Sequence, residues 1–209
     1  MLTFFTASLA GLFVVVEPFG VVPMFVALTR GRPPAEVRRI ALRASVVGAL
    51  VLSLFAIGGK VLLEVLGVRL DAFRMAGGLL LLLTALDMLR GKPSSCRCSA
   101  KELDAALPKE DVAIVPVAIP LLAGPGSMAT IMMLMTRAST PAQGAAVFGA
   151  LGVTFVASYL VLRGAEPLSR WLGPSAIAVV ERVLGLVLAA LALQFIVDGG
   201  LGLFQRAGA

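Results

Sequence analysis

The chain alternates between long apolar runs and short charged segments, and the runs are of membrane-spanning length. A transmembrane helix needs about 20 mostly apolar residues. Read between charges, the runs cover residues 2–29, 44–66, 73–89, 112–136, 138–162 and 177–203. The first contains a single charge, Glu17, far from either end. Lys60 and Glu64 close the second, while Arg74 and Asp87 lie near the limits of the third. Arg137 separates the uncharged fourth and fifth, and the sixth holds Glu181, Arg182 and Asp198. The pattern predicts an all-α membrane protein with six transmembrane helices. Ala7-Ser8-Leu9-Ala10 has the small residues of a leader cleavage site. No basic region precedes it and the apolar run continues to Leu28, so it reads as a retained first span.

Composition agrees with the pattern. Hydrophobic residues form 59% of the 209-residue chain and charged residues 14%, with mean hydropathy +0.99. Soluble proteins average about 45–50% apolar and about 25% charged. A globular core of this size cannot hide so much apolar surface. Soluble enzymes, secreted disulfide scaffolds, disordered tails and nucleic-acid modules are excluded, and lipid is the expected surrounding.

The net charge of +6 then reads as topology. Arg30, Arg32, Arg38, Arg39 and Arg43 follow span one, and Arg90, Lys92, Arg97, Lys101 and Lys109 follow span three. With Arg163 and Arg170 after span five, one side collects 12 of the 18 basic residues. Lys and Arg concentrate in cytoplasmic loops, so both termini are expected outside. The chain has no His, which removes imidazole catalysis and the usual zinc-hydrolase ligand sets. No paired carboxylates share a predicted face, and an enzyme is not expected. No metal or other cofactor is expected either. Cys96 and Cys98 read as a reduced cytoplasmic pair, with a metal or redox clip as the lesser alternative.

The halves of the chain repeat. A shift of 107 positions aligns Pro18 with Pro125, Thr29 with Thr136, Arg30 with Arg137, and Pro34 with Pro141. A shift of 108 aligns Arg74 with Arg182 and Gly77 with Gly185, so one inserted residue reconciles the two. Each repeat holds three spans and therefore leaves the bilayer on the side opposite its start. The second copy must be inverted. The predicted organisation is a first repeat over 1–90, a cytoplasmic linker over 91–111 and an inverted repeat over 112–209. Inverted repeats are common in secondary transporters, whose sites lie near the midplane between the halves.

The first span of each repeat is interrupted. Span one contains Glu17-Pro18-Phe19-Gly20 and then Pro23; span four contains Pro116, Pro120 and Gly124-Pro125-Gly126-Ser127. Pro removes a helical N–H and clashes with the preceding turn, while Gly frees the backbone. Such breaks must be buried in protein or line a polar cavity. Half-helices starting at Phe19–Gly20 and Gly126–Ser127 would present free N–H groups suited to an anion such as a carboxylate. Ser127 and Thr130 would add hydroxyl donors. Glu17 would meet a substrate ammonium or a coupling cation, since a carboxylate deep in an apolar span is costly and functional by default. The bland alternative is that the prolines and glycines serve packing alone.

Other residues carry weaker signals. Arg74 and Arg182 open the third span of each repeat, where two readings stand: interfacial anchors that snorkel to headgroups, or a network bracing the broken helices. Gln194 and Asp198, one turn apart, suit a cavity face; Asp198 equally suits the exterior interface. Lys60 and Glu64 form an i,i+4 surface pair. Gly58-Gly59, Gly77-Gly78 and Gly199-Gly200 mark close packing or span ends.

Glu17-Pro18-Phe19-Gly20 with Pro23, and Ile119-Pro120-Leu121-Leu122-Ala123-Gly124-Pro125-Gly126-Ser127, resemble the two signature segments of the MarC family of bacterial inner-membrane proteins. That family is also called NAAT, for neutral amino acid transporter. The similarity covers essentially the whole chain, including the closing Gln194-Phe195-Ile196-Val197-Asp198-Gly199. The first segment departs from the family pattern, which has Asp where Glu17 stands and often Asn where Val21 stands. The resemblance implies a multi-pass inner-membrane protein and, as in some relatives, uptake of a small neutral amino acid such as glycine or alanine.

The expected function is a secondary transporter of a small zwitterion, driven by H⁺ or Na⁺, because no nucleotide-binding motif is present. Its site comprises Glu17, Pro18, Phe19, Gly20, Gly124, Pro125, Gly126, Ser127 and Thr130, with Arg74, Arg182, Gln194 and Asp198 as network or coupling candidates. Expected partners are a small-molecule substrate and lipid, with no nucleic acid and the oligomeric state open. Export of another small metabolite, or passive conduction, are the alternatives.

Overall fold

The computed structural model describes residues 1–91 and 112–207, which form eight helices and no strand. They are α1 (Leu2–Val16), α2 (Pro18–Thr29), α3 (Pro34–Val65), α4 (Leu70–Leu89), α5 (Ala113–Leu122), α6 (Pro125–Arg137), α7 (Pro141–Arg163) and α8 (Ala165–Ala207). The linker, with Cys96 and Cys98, lies outside the described residues.

Proline decides where several helices start. Helices α2, α3, α6 and α7 all open on Pro, whose fixed φ and missing N–H suit a first turn. The same residue disrupts α5. Val115 and Ile119, which precede Pro116 and Pro120, are extended at φ −125°, ψ 120° and φ −129°, ψ 123°, as expected of residues before Pro. The coil around them is wide: the amides of Val117 and Ala123 donate to the carbonyls of Val112 and Ala118, five residues back, at 3.3 and 2.9 Å.

Among the described residues, five helical stretches are long and apolar enough to cross a membrane, with α1–α2 counted as one, and the bent α5–α6 pair makes six if it is one span. The protein is an all-helical, multi-pass membrane protein by this measure. Helix starts differ most from the apolar runs in α3 and α8. Helix α3 begins at Pro34 and so carries Arg38, Arg39 and Arg43 on its first turns. Helix α8 begins at Ala165, is interrupted at Gly173 (φ 69°, ψ 166°), and becomes membrane-like only from Ala178.

Helix α4 runs antiparallel to the later part of α8, from about residue 185 to 202. Gly78 faces the Ala192 carbonyl, Phe195 and Ile196, Gly185 faces Ala85 and Met88, and Gly199 faces the Asp71 carbonyl and Met75. A Cβ on Gly78 or Gly199 would approach backbone atoms within 3.0 Å, so glycine is what lets these helices touch. Helix α3 packs on α5, α6 and α7, while α1 and α2 pack on α7 and on the α5–α6 pair. Leu12, Val16, Val21, Phe25, Leu121, Ile131 and Phe155 form the main core. A second cluster joins Val15, Leu81, Met133, Leu188 and Phe195. Exposed Leu54, Ile57, Val156, Leu160 and Leu186 form part of the outer apolar surface.

Candidate functional site

Both predicted interruptions exist, and they differ in kind. Helix α1 ends and α2 begins at one residue, Glu17, which adopts the left-handed conformation at φ 54°, ψ 59°. Among the described residues it is the only non-glycine with positive φ. That backbone is uncommon for a side chain with a Cβ and clusters at functional positions. Its N–H closes α1 on the Phe13 carbonyl at 3.0 Å, and its carbonyl accepts from Gly20 N–H at 3.1 Å. The side chain is 2% exposed and lies over the first turn of α2: a Cβ on Gly20 would sit 2.6 Å from Glu17 Oε1.

This placement corrects one expectation. The start of α2 was expected to receive a ligand's anionic group. The carboxylate of Glu17 already lies against that turn, where the helix dipole favours negative charge. Of the two half-helix starts, α2 has the Glu17 carboxylate against it, and the first turn of α6 holds no acidic residue. Glycine at position 20 is what makes the arrangement possible, since any larger residue would occupy the carboxylate's volume.

The second break is an extended turn between α5 and α6. Gly124 has φ −82°, ψ 172°, Pro125 opens α6, and the two helices meet at 57°. A cavity of about 30 Å³ lies against it, lined by Gly124, Pro125, Gly126 and Ser127 and closed by Val15 from α1 and Leu81 and Thr84 from α4. One water needs roughly 10–15 Å³; the space holds water but not an amino acid. Leu81 is the closing side chain, because a Cβ on Gly126 would meet Leu81 Cδ2 at 2.2 Å. Val15 stands two residues before Glu17, so the cavity lies beside the first break as well as the second.

The hydroxyls also depart from expectation. Ser127 Oγ donates to the Leu122 carbonyl at 3.2 Å and Thr130 Oγ1 to the Gly126 carbonyl at 2.8 Å. Both are buried, and each can offer a ligand only acceptor lone pairs. Thr84, which the sequence reading did not single out, lines the cavity and donates to the Leu80 carbonyl at 3.0 Å. It is the only hydroxyl residue in the 73–89 run, which was the available signal.

Arg74 and Asp198 are brought together. Arg74 forms an ion pair with Asp198, Arg137 approaches the same carboxylate at 3.5 Å, and the Arg74 guanidinium lies 5.7 Å from the Phe195 ring centre. The network ties α4, α6 and α8 together near the end of α6. Arg74 is seven residues from Leu81, or about 10 Å of helix, so the network does not touch the break itself. Arg182 instead is exposed and reaches within 3.9 Å of where a side chain on Gly91 would start. Gln194 is exposed, away from the cavity. The two predicted arginine equivalents thus have different surroundings, and the Gln194–Asp198 pair does not form a cavity face. Lys60 and Glu64 form the surface pair expected, at 3.8 Å.

Broken, glycine-packed membrane helices around a buried carboxylate define a polytopic membrane protein. Residues 2–204 match the family profile described as MarC family integral membrane protein. A UPF0056 membrane protein of Methanocaldococcus jannaschii is 37% identical over 198 residues, covering 95% of this chain and 96% of that protein. The UPF0056 membrane protein YhcE of Escherichia coli is 32% identical, covering 93% and 90%, and YvbG of Bacillus subtilis is 31% identical over 205 residues, 98% of this chain and 97% of that protein. No solved structure matches. The chain belongs to the MarC family.

Proposed function

We propose that the protein is a secondary transporter of a small neutral amino acid or similar zwitterion across the bacterial inner membrane. The observation that carries this reading is Glu17: a buried carboxylate at a helix break inside an apolar span, beside a second break with a small cavity whose lining includes Thr84 and Ser127. In this reading the α6 N-terminus binds the substrate carboxylate, Glu17 faces its ammonium group, and the oxygens of Ser127 and Thr84 accept hydrogen bonds. The cavity is too small for a substrate with Leu81 in place, so α4 must withdraw from α6 to admit one. Glu17 is the natural group for coupling to H⁺ or Na⁺.

The packing supports an inverted repeat. Exchanging α1–α4 with α5–α8 turns the α1–α7 contact into α5–α3, α2–α7 into α6–α3, and α2–α8 into α6–α4; each of these is present. A crossing by α5–α6 is supported in the same way. The chain leaves α4 near Arg182 but ends α6 beside Arg74 and Asp198, at the opposite end of the antiparallel α4–α8 pair. The linker between them is charged and unsuited to lipid, which favours a crossing by α5–α6. With six crossings and the basic loops inside, both termini would lie outside.

The test is uptake of labelled glycine or alanine into liposomes containing the purified protein, under H⁺ or Na⁺ gradients. Uptake is expected above empty liposomes and should be lost in Glu17→Gln. Uptake equal to empty liposomes under every gradient would reject the proposal.

A further inference from the structure

We infer that the protein is a homodimer whose two copies meet along the outer face of α8, with Gln194 of each copy hydrogen-bonded to the other across the interface. The proposal does not depend on what the protein transports.

Helix α8 buries one face on α4 through Leu188, Ala192, Phe195 and Gly199. Its opposite face is exposed and follows a seven-residue repeat. One set of positions, spaced seven apart, holds Val180, Val187, Gln194 and Leu201, all exposed. The alternate set, three residues further on each time, holds Val183, Ala190, Val197 and Phe204, also all exposed. Alternating spacings of three and four sustained over more than three heptads are the pattern of a helix that packs against another helix.

Lipid alone would account for an apolar face, but not for Gln194. It stands near the centre of the Ala178–Gln205 span, where water is absent and a carboxamide needs a partner. The partner's chemistry follows from the geometry. Copies inserted with the same topology present α8 in parallel, and a twofold axis along the membrane normal makes the interface self-complementary. In parallel pairs, equivalent first-set positions face each other, so Gln194 meets Gln194. A carboxamide has both a donor and an acceptor and can pair with its own copy. Ala190, one turn before, is small enough to let the backbones approach at that level. A single polar residue in such a seam fixes register and the number of strands.

The test uses the full-length protein in lipid bilayers, in a Cys96→Ser, Cys98→Ser background. Single cysteines are placed at Val183, Val187 and Val197, with Ile57, 72% exposed on α3, as the control. Oxidation should give dimers at the three α8 positions and not at Ile57. Separately, Gln194→Leu should shift the monomer–dimer equilibrium, read by donor–acceptor energy transfer on dilution into lipid, roughly tenfold towards monomer. Cross-linking at the α8 positions no greater than at Ile57, or an equilibrium unchanged by Gln194→Leu, would overturn the proposal.

Discussion

At the residue scale, the interplay of Glu17 and Gly20 separates stability from activity. The carboxylate fills the space a Cβ at position 20 would need, at 2.6 Å, and a carboxylate is the flexible end of its side chain. Gly20→Ala should therefore displace Glu17 without unfolding α2, and alanine favours a helix over glycine by about 1 kcal/mol. The expected outcome is a thermal midpoint unchanged or raised, with substrate uptake reduced about tenfold, equivalent to about 1.4 kcal/mol. Uptake retained in a protein of unchanged stability would show that the position of the carboxylate does not matter. Glu17 itself was legible from the sequence, because one charge in a long apolar run stands out. Its fold-back over α2 was not, because that depends on a left-handed backbone that no local rule assigns to glutamate.

At the element scale, the Arg74–Asp198–Arg137 network and the Lys60–Glu64 pair make a controlled contrast. The Arg74 and Asp198 side chains are 17% and 31% exposed, while Lys60 and Glu64 are 75% and 64% exposed. Asp198→Asn leaves two guanidiniums facing a neutral amide and should cost about 1–3 kcal/mol. Lys60→Ala should cost no more than about 0.5 kcal/mol. Reversible unfolding in detergent micelles measures both; equal losses would show that the network does not hold α4, α6 and α8 together. The two arginines align in the repeat, yet only Arg74 has a carboxylate on the facing helix within an ion pair. A repeat in sequence predicts equivalent positions, not equivalent neighbours.

At the scale of the whole molecule, the proposed transport requires α4 to separate from α6. An ideal Cβ on Gly77 lies 2.6 Å from Ala129 Cβ, so cysteines at both positions need about 1 Å of relaxation to reach disulfide geometry. In a background lacking Cys96 and Cys98, oxidation of Gly77→Cys/Ala129→Cys should stop uptake and reduction should restore it. Full uptake in the cross-linked protein would show that this contact stays closed during transport.

The number of membrane runs, their interruption at Glu17-Pro18 and Gly124-Pro125, and the family followed from the sequence alone. These features rest on local physics: charge is excluded from lipid, Pro cannot continue a helix, and Gly permits a turn. The facing of each helix was decided by the tertiary structure. Leu81 closes the cavity over Gly126, Ser127 and Thr130 spend their protons on backbone carbonyls, and Gln194 points outward. In water, an amphipathic stripe shows which side of a helix is buried. In a bilayer the interior and the surroundings are both apolar, so the sequence marks where the chain crosses and breaks, while packing alone sets which way each side chain turns.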